Sequence, residues 1–237
     1  MTRPEAILFD LWGTLIHSDG GFNPGQGNAA FLKGCVNPRA ATLEQVEALG
    51  TRVITGLEKR EDVAALEFTQ ASLLSIIGDS LGLRFPRGLQ EAEWDFWSAA
   101  LNITLIEGVR DLLSFLRRLG IRMGVVSNSS FSTATLEREL DRHGIRHEFA
   151  FVISSAEYGV RKPDPIIFEV ALARLGIPAE SAWFAGDNVE YDVMGARAAG
   201  IFPVAFNPRA PIPASAGEHV VITEWSQLGQ LVEAASS

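Results

Sequence analysis

Asp10 ends the apolar run Ile7-Leu8-Phe9 and is followed by Trp12, Gly13 and Thr14. A carboxylate just beyond an apolar strand stands where open α/β sheets gather their ligands. Two small residues behind it let the chain turn sharply, which leaves the carboxylate exposed as a nucleophile. Three more apolar runs end in polar groups. Met123 to Val126 lead into Ser127-Asn128, where a hydroxyl and a backbone N–H can hold an anionic oxygen. Lys162 sits in Arg161-Lys162-Pro163-Asp164-Pro165, its approach stiffened by prolines, and its ammonium can keep Asp10 ionised and balance incoming negative charge. Ala182 to Ala185 run into Gly186-Asp187-Asn188-Val189-Glu190-Tyr191-Asp192, which carries two further acids. Singly, each group has an ordinary use as a turn former or helix cap. Their placement at four strand ends, which converge on one crevice in a parallel sheet, gives them a joint meaning.

The elements that position them follow from periodicity. From about residue 105, short apolar runs alternate with amphipathic ones, as in a parallel sheet wrapped by helices. The pattern predicts strands over Arg122 to Ser127, Ala150 to Ser154, Ala182 to Ala185, Phe202 to Ala205 and His219 to Ile222. It predicts helices over Val109 to Leu119, Thr133 to His143, Ile166 to Leu175 and Tyr191 to Ala199, closed by Gly120, Gly144, Gly176 and Gly200. The opening strand, Ala6 to Asp10, must join this sheet across an insertion. That block, roughly Ser18 to Ile103, reads as helices without strands, at Thr42 to Leu57, Glu61 to Leu81 and Gln90 to Leu101. Gly20, Gly21, Pro24, Gly25 and Gly27 form a mobile entrance to it, and Ile103 to Gly108 the return. The expected fold is α/β: a Rossmann-like parallel core over residues 1–17 and 104–237, with an α-helical cap over 18–103.

Composition limits the partners. The net charge of -9 is spread along the chain without a run of Lys or Arg, which argues against nucleic acid and anionic lipid. Cys35 is the only cysteine, so no internal disulfide forms, and the first residues lack the apolar stretch of a secretory signal. No segment approaches the roughly 20 apolar residues of a membrane span. These features predict a cytoplasmic protein acting on a small molecule, and they leave its oligomeric state open.

In this order and at these spacings, the four motifs resemble those of the haloacid dehalogenase-like hydrolases across the whole core. The resemblance implies that Asp10 forms a covalent ester or aspartyl-phosphate. Thr14, Ser127, Asn128 and Lys162 would hold and neutralise the substrate. Mg²⁺ would be bound by Asp10, the carbonyl of Trp12, Asp187 and Asp192.

Trp12 departs from the pattern, because phosphatases of the family carry a second aspartate there to act as general acid. L-2-haloacid dehalogenases tolerate an aromatic residue at this position, since halide leaves without a proton, but they need no metal and resemble Ser where Asp187 stands. Two acids at the metal spacing favour Mg²⁺-dependent hydrolysis of a small phosphorylated metabolite, one with a good leaving group such as an acyl or aryl phosphate. Metal-independent dehalogenation is the alternative. His17 and Glu58 are candidate replacement acids, and Arg39, Arg52 and Arg60 are candidate halide contacts. Lys59, with Val63 and Leu66 nearby, faintly resembles the Schiff-base segment of phosphonoacetaldehyde hydrolase, although a lysine beginning a solvated helix is its ordinary reading. A non-catalytic ligand-binding protein is the remaining reading. Trp94, Phe96 and Trp97 either face the cleft or pack within the cap.

Overall fold

The computed structural model describes residues 2–58, 68–207 and 210–235. The chain opens with strand β1 (Ala6–Phe9), turns sharply, and forms the short strand β2 (Ile16–Ser18). Four helices follow: α1 (Pro24–Gly34), α2 (Leu43–Glu58), α3 (Gln70–Leu81) and α4 (Gly88–Ala100). Strand β3 (Ile103–Leu105) returns antiparallel to β2, pairing Ser18 with Ile103 and Ile16 with Leu105. The rest alternates: α5 (Val109–Arg118), β4 (Arg122–Ser127), α6 (Thr133–Arg142), β5 (Phe151–Ser154), α7 (Pro165–Leu175) and β6 (Ala182–Gly186). A π-helical turn (Val189–Met194), α8 (Gly195–Ala198), β7 (Phe202–Phe206), β8 (Val220–Ile222) and α9 (Trp225–Ala234) complete it.

The main sheet has the order β5-β4-β1-β6-β7-β8, with every neighbouring pair parallel. β1 lies between β4 and β6 because its four residues are apolar and buried on both faces, as a central parallel strand requires. The period of two divides its side chains. Ile7 and Phe9 join a core with α5, α6 and α9, whereas Ala6 and Leu8 pack with α7 and α8. Strand order reverses beside β1, so its carboxyl end opens into the crevice where such sheets bind ligands. The α/β fold is therefore a Rossmann-like core carrying an inserted helical cap. Among the described residues, no helix is long and apolar enough to cross a membrane.

Three expectations need correction. The inserted block is not free of strands at its ends, because Ser18 and Ile103 pair in the β2–β3 ribbon. Three-residue strands are too short to leave an alternating pattern. The glycine-rich entrance is only partly a linker: Gly20 and Gly21 have positive φ, but Pro24, Gly25 and Gly27 lie inside α1. Asn23 caps that helix by accepting from Gln26 N–H at 3.1 Å, and Pro24 takes the first position, where its missing N–H is harmless. Gly27 serves packing, since a Cβ there would lie 2.7 Å from the Phe96 ring. The helix expected over Glu61 to Leu81 begins only at Gln70, where Thr69 caps it by accepting from Ser72 N–H at 2.9 Å. Residues 61–67 of that span, including Val63 and Leu66, lie outside the described residues, as do Lys59 and Arg60.

The cap is fastened to the core by buried polar contacts. From α4, the Trp97 indole N–H donates to Glu139 of α6 at 2.8 Å, and the Glu93 carboxylate accepts from the hydroxyls of Ser132 and Thr135. Phe96 and Trp97 are buried, and Trp94 is half-buried beneath the Arg138 guanidinium at 4.4 Å. The aromatic cluster therefore packs α4 rather than presenting three rings to the cleft.

Candidate active site

The site is built where β1, β4 and β6 end. Asp10 continues the β1 ladder, its N–H donating to Ala185 O at 2.9 Å, and is 6% exposed. Behind it, Gly13 N–H donates to Ile16 O at 2.8 Å and Ile16 N–H to Leu11 O at 3.0 Å, closing a tight loop. Gly13 makes that loop feasible with φ of 75°, a conformation that costs glycine nothing. The loop buries Thr14 completely.

Lys162, between β5 and α7, reaches across the end of the sheet. Its ammonium donates to Asp10 Oδ1 and Asp192 Oδ1, each at 2.7 Å, and it is 1% exposed. Asn128, at the end of β4, clamps its backbone: the amide donates to Lys162 O at 2.9 Å and accepts from Lys162 N–H at 2.8 Å. The Asn128 side chain thereby holds Lys162 in place, a role separate from the backbone N–H expected to meet an anionic oxygen here. The following loop is fixed by β5 and its end, through the Ser154 hydroxyl to Phe131 O at 2.6 Å and Ser129 N–H to the Ser155 hydroxyl at 3.0 Å.

Asp192 depends on a local irregularity. The helix expected from Tyr191 begins as a π-turn, in which Val193 N–H reaches Asn188 O at 3.3 Å. The added residue turns Asp192 back toward the sheet, where it accepts from Asn188 N–H at 2.9 Å as well as from Lys162. Gly186 permits the approach, since a Cβ there would lie 2.4 Å from the Asp192 carboxylate carbon. The sequence places this glycine at the head of the fourth motif without showing which side chain it makes room for. Its position directly before Asp187 was the available signal.

The electrostatics follow from burial. Asp10, Asp187 and Asp192 are all buried, and one carboxylate oxygen of each lies within 4.8 Å of the others. Burial raises the Asp10 pKa to about 7, with Asp192 and Asp187 adding to the rise and Lys162 opposing it. For Lys162, burial works against the charge but is outweighed by Asp10 and Asp192, so its pKa is raised and it stays an ammonium. Three carboxylates beside one ammonium carry a formal excess of two negative charges. All-oxygen donors with that excess suit a hard divalent cation.

Two hydroxyls complete the arrangement. Thr14 Oγ1 and Ser127 Oγ are fully buried and have no hydrogen-bond partner among the described residues. An unsatisfied buried hydroxyl is costly, so two of them, one in the loop that follows Asp10 and one at the end of the neighbouring β4, suit a ligand that brings acceptor oxygens. Trp12 stands over the same loop, its ring 5.4 Å from Trp97 and tilted against it. His17 is exposed in β2 and bonded to Asp19 and Thr104, each at 3.0 Å. Arg39 and Arg52 are exposed, and the side chain of Glu58 is outside the described residues.

A family described as haloacid dehalogenase-like hydrolase matches residues 4–200. A phosphoserine phosphatase from Thermus thermophilus is 34% identical over 117 residues, 49% of this chain and 46% of that protein. A phosphoglycolate phosphatase from Rhodospirillum rubrum is 28% identical across 95% of this chain and 90% of its own length. The chain spans about half or less of the length of several other curated relatives that it matches. A solved 2-haloacid dehalogenase from Pseudomonas syringae superposes with a TM-score of 0.66 at 23% identity, covering 99% of both chains.

Proposed function

Because this chain belongs to the haloacid dehalogenase-like hydrolases, we propose that it is a phosphatase in which Asp10 is the nucleophile and the substrate is a small phosphate ester with a good leaving group. The observation that carries this reading is the buried grouping of Asp10, Asp187 and Asp192 around Lys162. Asp10, Asp187 and Asp192 would hold Mg²⁺ with the Trp12 carbonyl, and the ion would neutralise phosphoryl charge.

An Asp10 oxygen attacks phosphorus, the P–O bond to the leaving group breaks with its electron pair, and the aspartyl-phosphate remains on the chain. Lys162 offsets the charge of Asp10 and of the incoming phosphoryl group. Thr14 and Ser127 donate to its non-bridging oxygens and so satisfy their own buried hydroxyls. Water then cleaves the acyl phosphate, returning the Asp10 carboxylate and releasing phosphate with a proton to solvent. Phosphatase-named relatives support the reaction class.

Trp12 sets the limit on the substrate. A general acid contributes roughly 10²–10⁴-fold, and an indole cannot protonate a departing alkoxide. Aryloxides, with conjugate acids near a pKa of about 10 like that of tyrosine, depart without this help. Dehalogenation retains one supporting feature in Trp12, but halide displacement has no use for Asp187, a further buried acid beside Asp10. With Mg²⁺ present, phosphate release from phenyl phosphate should exceed that from an alkyl phosphate of similar size by at least about 100-fold in kcat/KM, the lower bound set by the missing acid. Equal rates would mean that another group supplies the proton and that Trp12 does not restrict the leaving group.

A further inference from the structure

A cleft of about 700 Å³ opens between the cap and the loops that carry the site, beside Trp12, Gly13, Asn128 and Ser129. Its walls are predominantly apolar, from Trp12, Phe22, Ile54, Leu101 and Phe131. Phe22 and Ile54 are 53% and 44% exposed, large apolar side chains with a face open to the cavity, Phe22 resting its ring 6.0 Å from that of Phe96. Such surface usually marks a binding region. Trp12 forms a firm wall because it rests on Trp97, whose indole N–H is already committed to Glu139 and whose ring meets Phe131 edge-on at 4.7 Å.

The described lining offers no cation for charge recognition. Among the described residues facing the cleft there is no Lys or Arg, and the one ionisable group, His17, is engaged with Asp19 and Thr104. A leaving group with its own carboxylate or phosphate would lose water here without gaining a counter-charge. Among the polar side chains that also line the cleft, His17, Ser18, Gln70, Asn128, Ser129 and Ser130, Gln70 is set apart by a buried amide donor with nothing to bond. Gln70 is 8% exposed, and its amide nitrogen is buried without a hydrogen-bond partner among the described residues. Its place is fixed, since it begins α3 and its own N–H donates to Ser130 O at 2.8 Å, tying it to the loop that follows Ser127. A buried amide donor held there and left unpaired is a defect for the protein alone, and a ligand acceptor would remove it.

We propose that Gln70 is a specificity residue that hydrogen-bonds the leaving group, and that this group is an uncharged, largely aromatic alcohol carrying a neutral acceptor such as a carbonyl oxygen. The proposal rests on the phosphatase reading above and names the substrate class of that site. Aromatic walls take the ring, Gln70 takes the acceptor, and the aryloxide departs past Trp12 without a proton.

The test compares the three acetylphenyl phosphate isomers, phenyl phosphate and phosphoglycolate on the full chain and on Gln70→Leu, with calorimetric binding of the free hydroxyacetophenones and of glycolate alongside. The best acetylphenyl isomer should exceed phosphoglycolate in kcat/KM. Gln70→Leu should lower that value about ten-fold, mainly through KM, the worth of one hydrogen bond, and leave phenyl phosphate unchanged. The variant should melt no lower than the parent, because it removes an unsatisfied buried group. A preference for phosphoglycolate, or an equal loss on phenyl phosphate, overturns the proposal while leaving the phosphatase reading intact. Hydroxyacetophenone binding that Gln70→Leu weakens, without phosphate release from any ester, upholds the cleft assignment and overturns the reaction instead.

Discussion

Replacing Asp10 with Asn is expected to abolish turnover and, in chelator at pH 8, to raise the midpoint of thermal unfolding. The first effect follows from removing the attacking oxygen, and the second from the burial of that same group. Asp10 has a pKa of about 7 in the folded chain against an ordinary value of 3.8. Between those two pH values the folded state keeps a proton that the unfolded state releases, so stability falls as pH rises through the window. Above it, the folded chain carries the full penalty of a buried carboxylate beside two others. Asn is neutral throughout and escapes that penalty, and Lys162 is not stranded because it still donates to Asp192 at 2.7 Å. The advantage of the variant should shrink below pH 7 and should shrink again when Mg²⁺ is added, since a ligand of the folded state stabilises the parent more. Calorimetry across pH 5 to 9, paired with a turnover assay, checks both halves. A variant that keeps the parent's activity removes Asp10 from the mechanism, and one that melts lower at pH 8 contradicts the burial argument.

Lys162→Met should be the most damaging substitution of comparable size. Methionine nearly fills the space, so the loss is electrostatic: Asp10 and Asp192 remain buried with no ammonium between them. Removing one member of a buried ionic cluster typically costs about 3–5 kcal/mol. The pH dependence gives the mechanism away. The penalty should be largest at pH 8 and fade toward pH 5 as Asp10, whose pKa burial raises to about 7, takes up a proton. Mg²⁺ should restore part of the stability but not the activity, which also needs the lysine against the phosphoryl group. Chemical denaturation at the two pH values measures this, and a cost below about 1 kcal/mol at pH 8 would mean that solvent, rather than Lys162, compensates the acids.

Much of this architecture was legible because the parallel core writes itself in runs. β4 occupies the expected Arg122 to Ser127, and Gly120, Gly144, Gly176 and Gly200 all adopt positive φ at the ends of the helices they follow. Asp10, Ser127, Lys162, Asp187 and Asp192 came together because strand ends in one sheet must converge. What the sequence hid is local or tertiary. The π-turn around Asp192 disturbs the helical period by a single residue. Gly27 read as a flexible hinge until Phe96 was seen against it. The bonds of the Asn128 side chain to the Lys162 backbone join residues 34 apart in sequence and left no local pattern. Gln70 carried no signal at all, because an amide in an apolar helical stretch looks like any surface position until its burial is known.

The most direct test of the central claim is parallel measurement of phosphate and halide release by the purified chain. The substrates are phenyl phosphate and 2-chloropropionate, with and without Mg²⁺ after treatment with a chelator. The arrangement of Asp10, Asp187 and Asp192 predicts phosphate release that vanishes in chelator and returns with Mg²⁺, and no chloride under either condition. Chloride release that persists in chelator, without phosphate release, would contradict it and make Trp12 the residue that reports the chemistry.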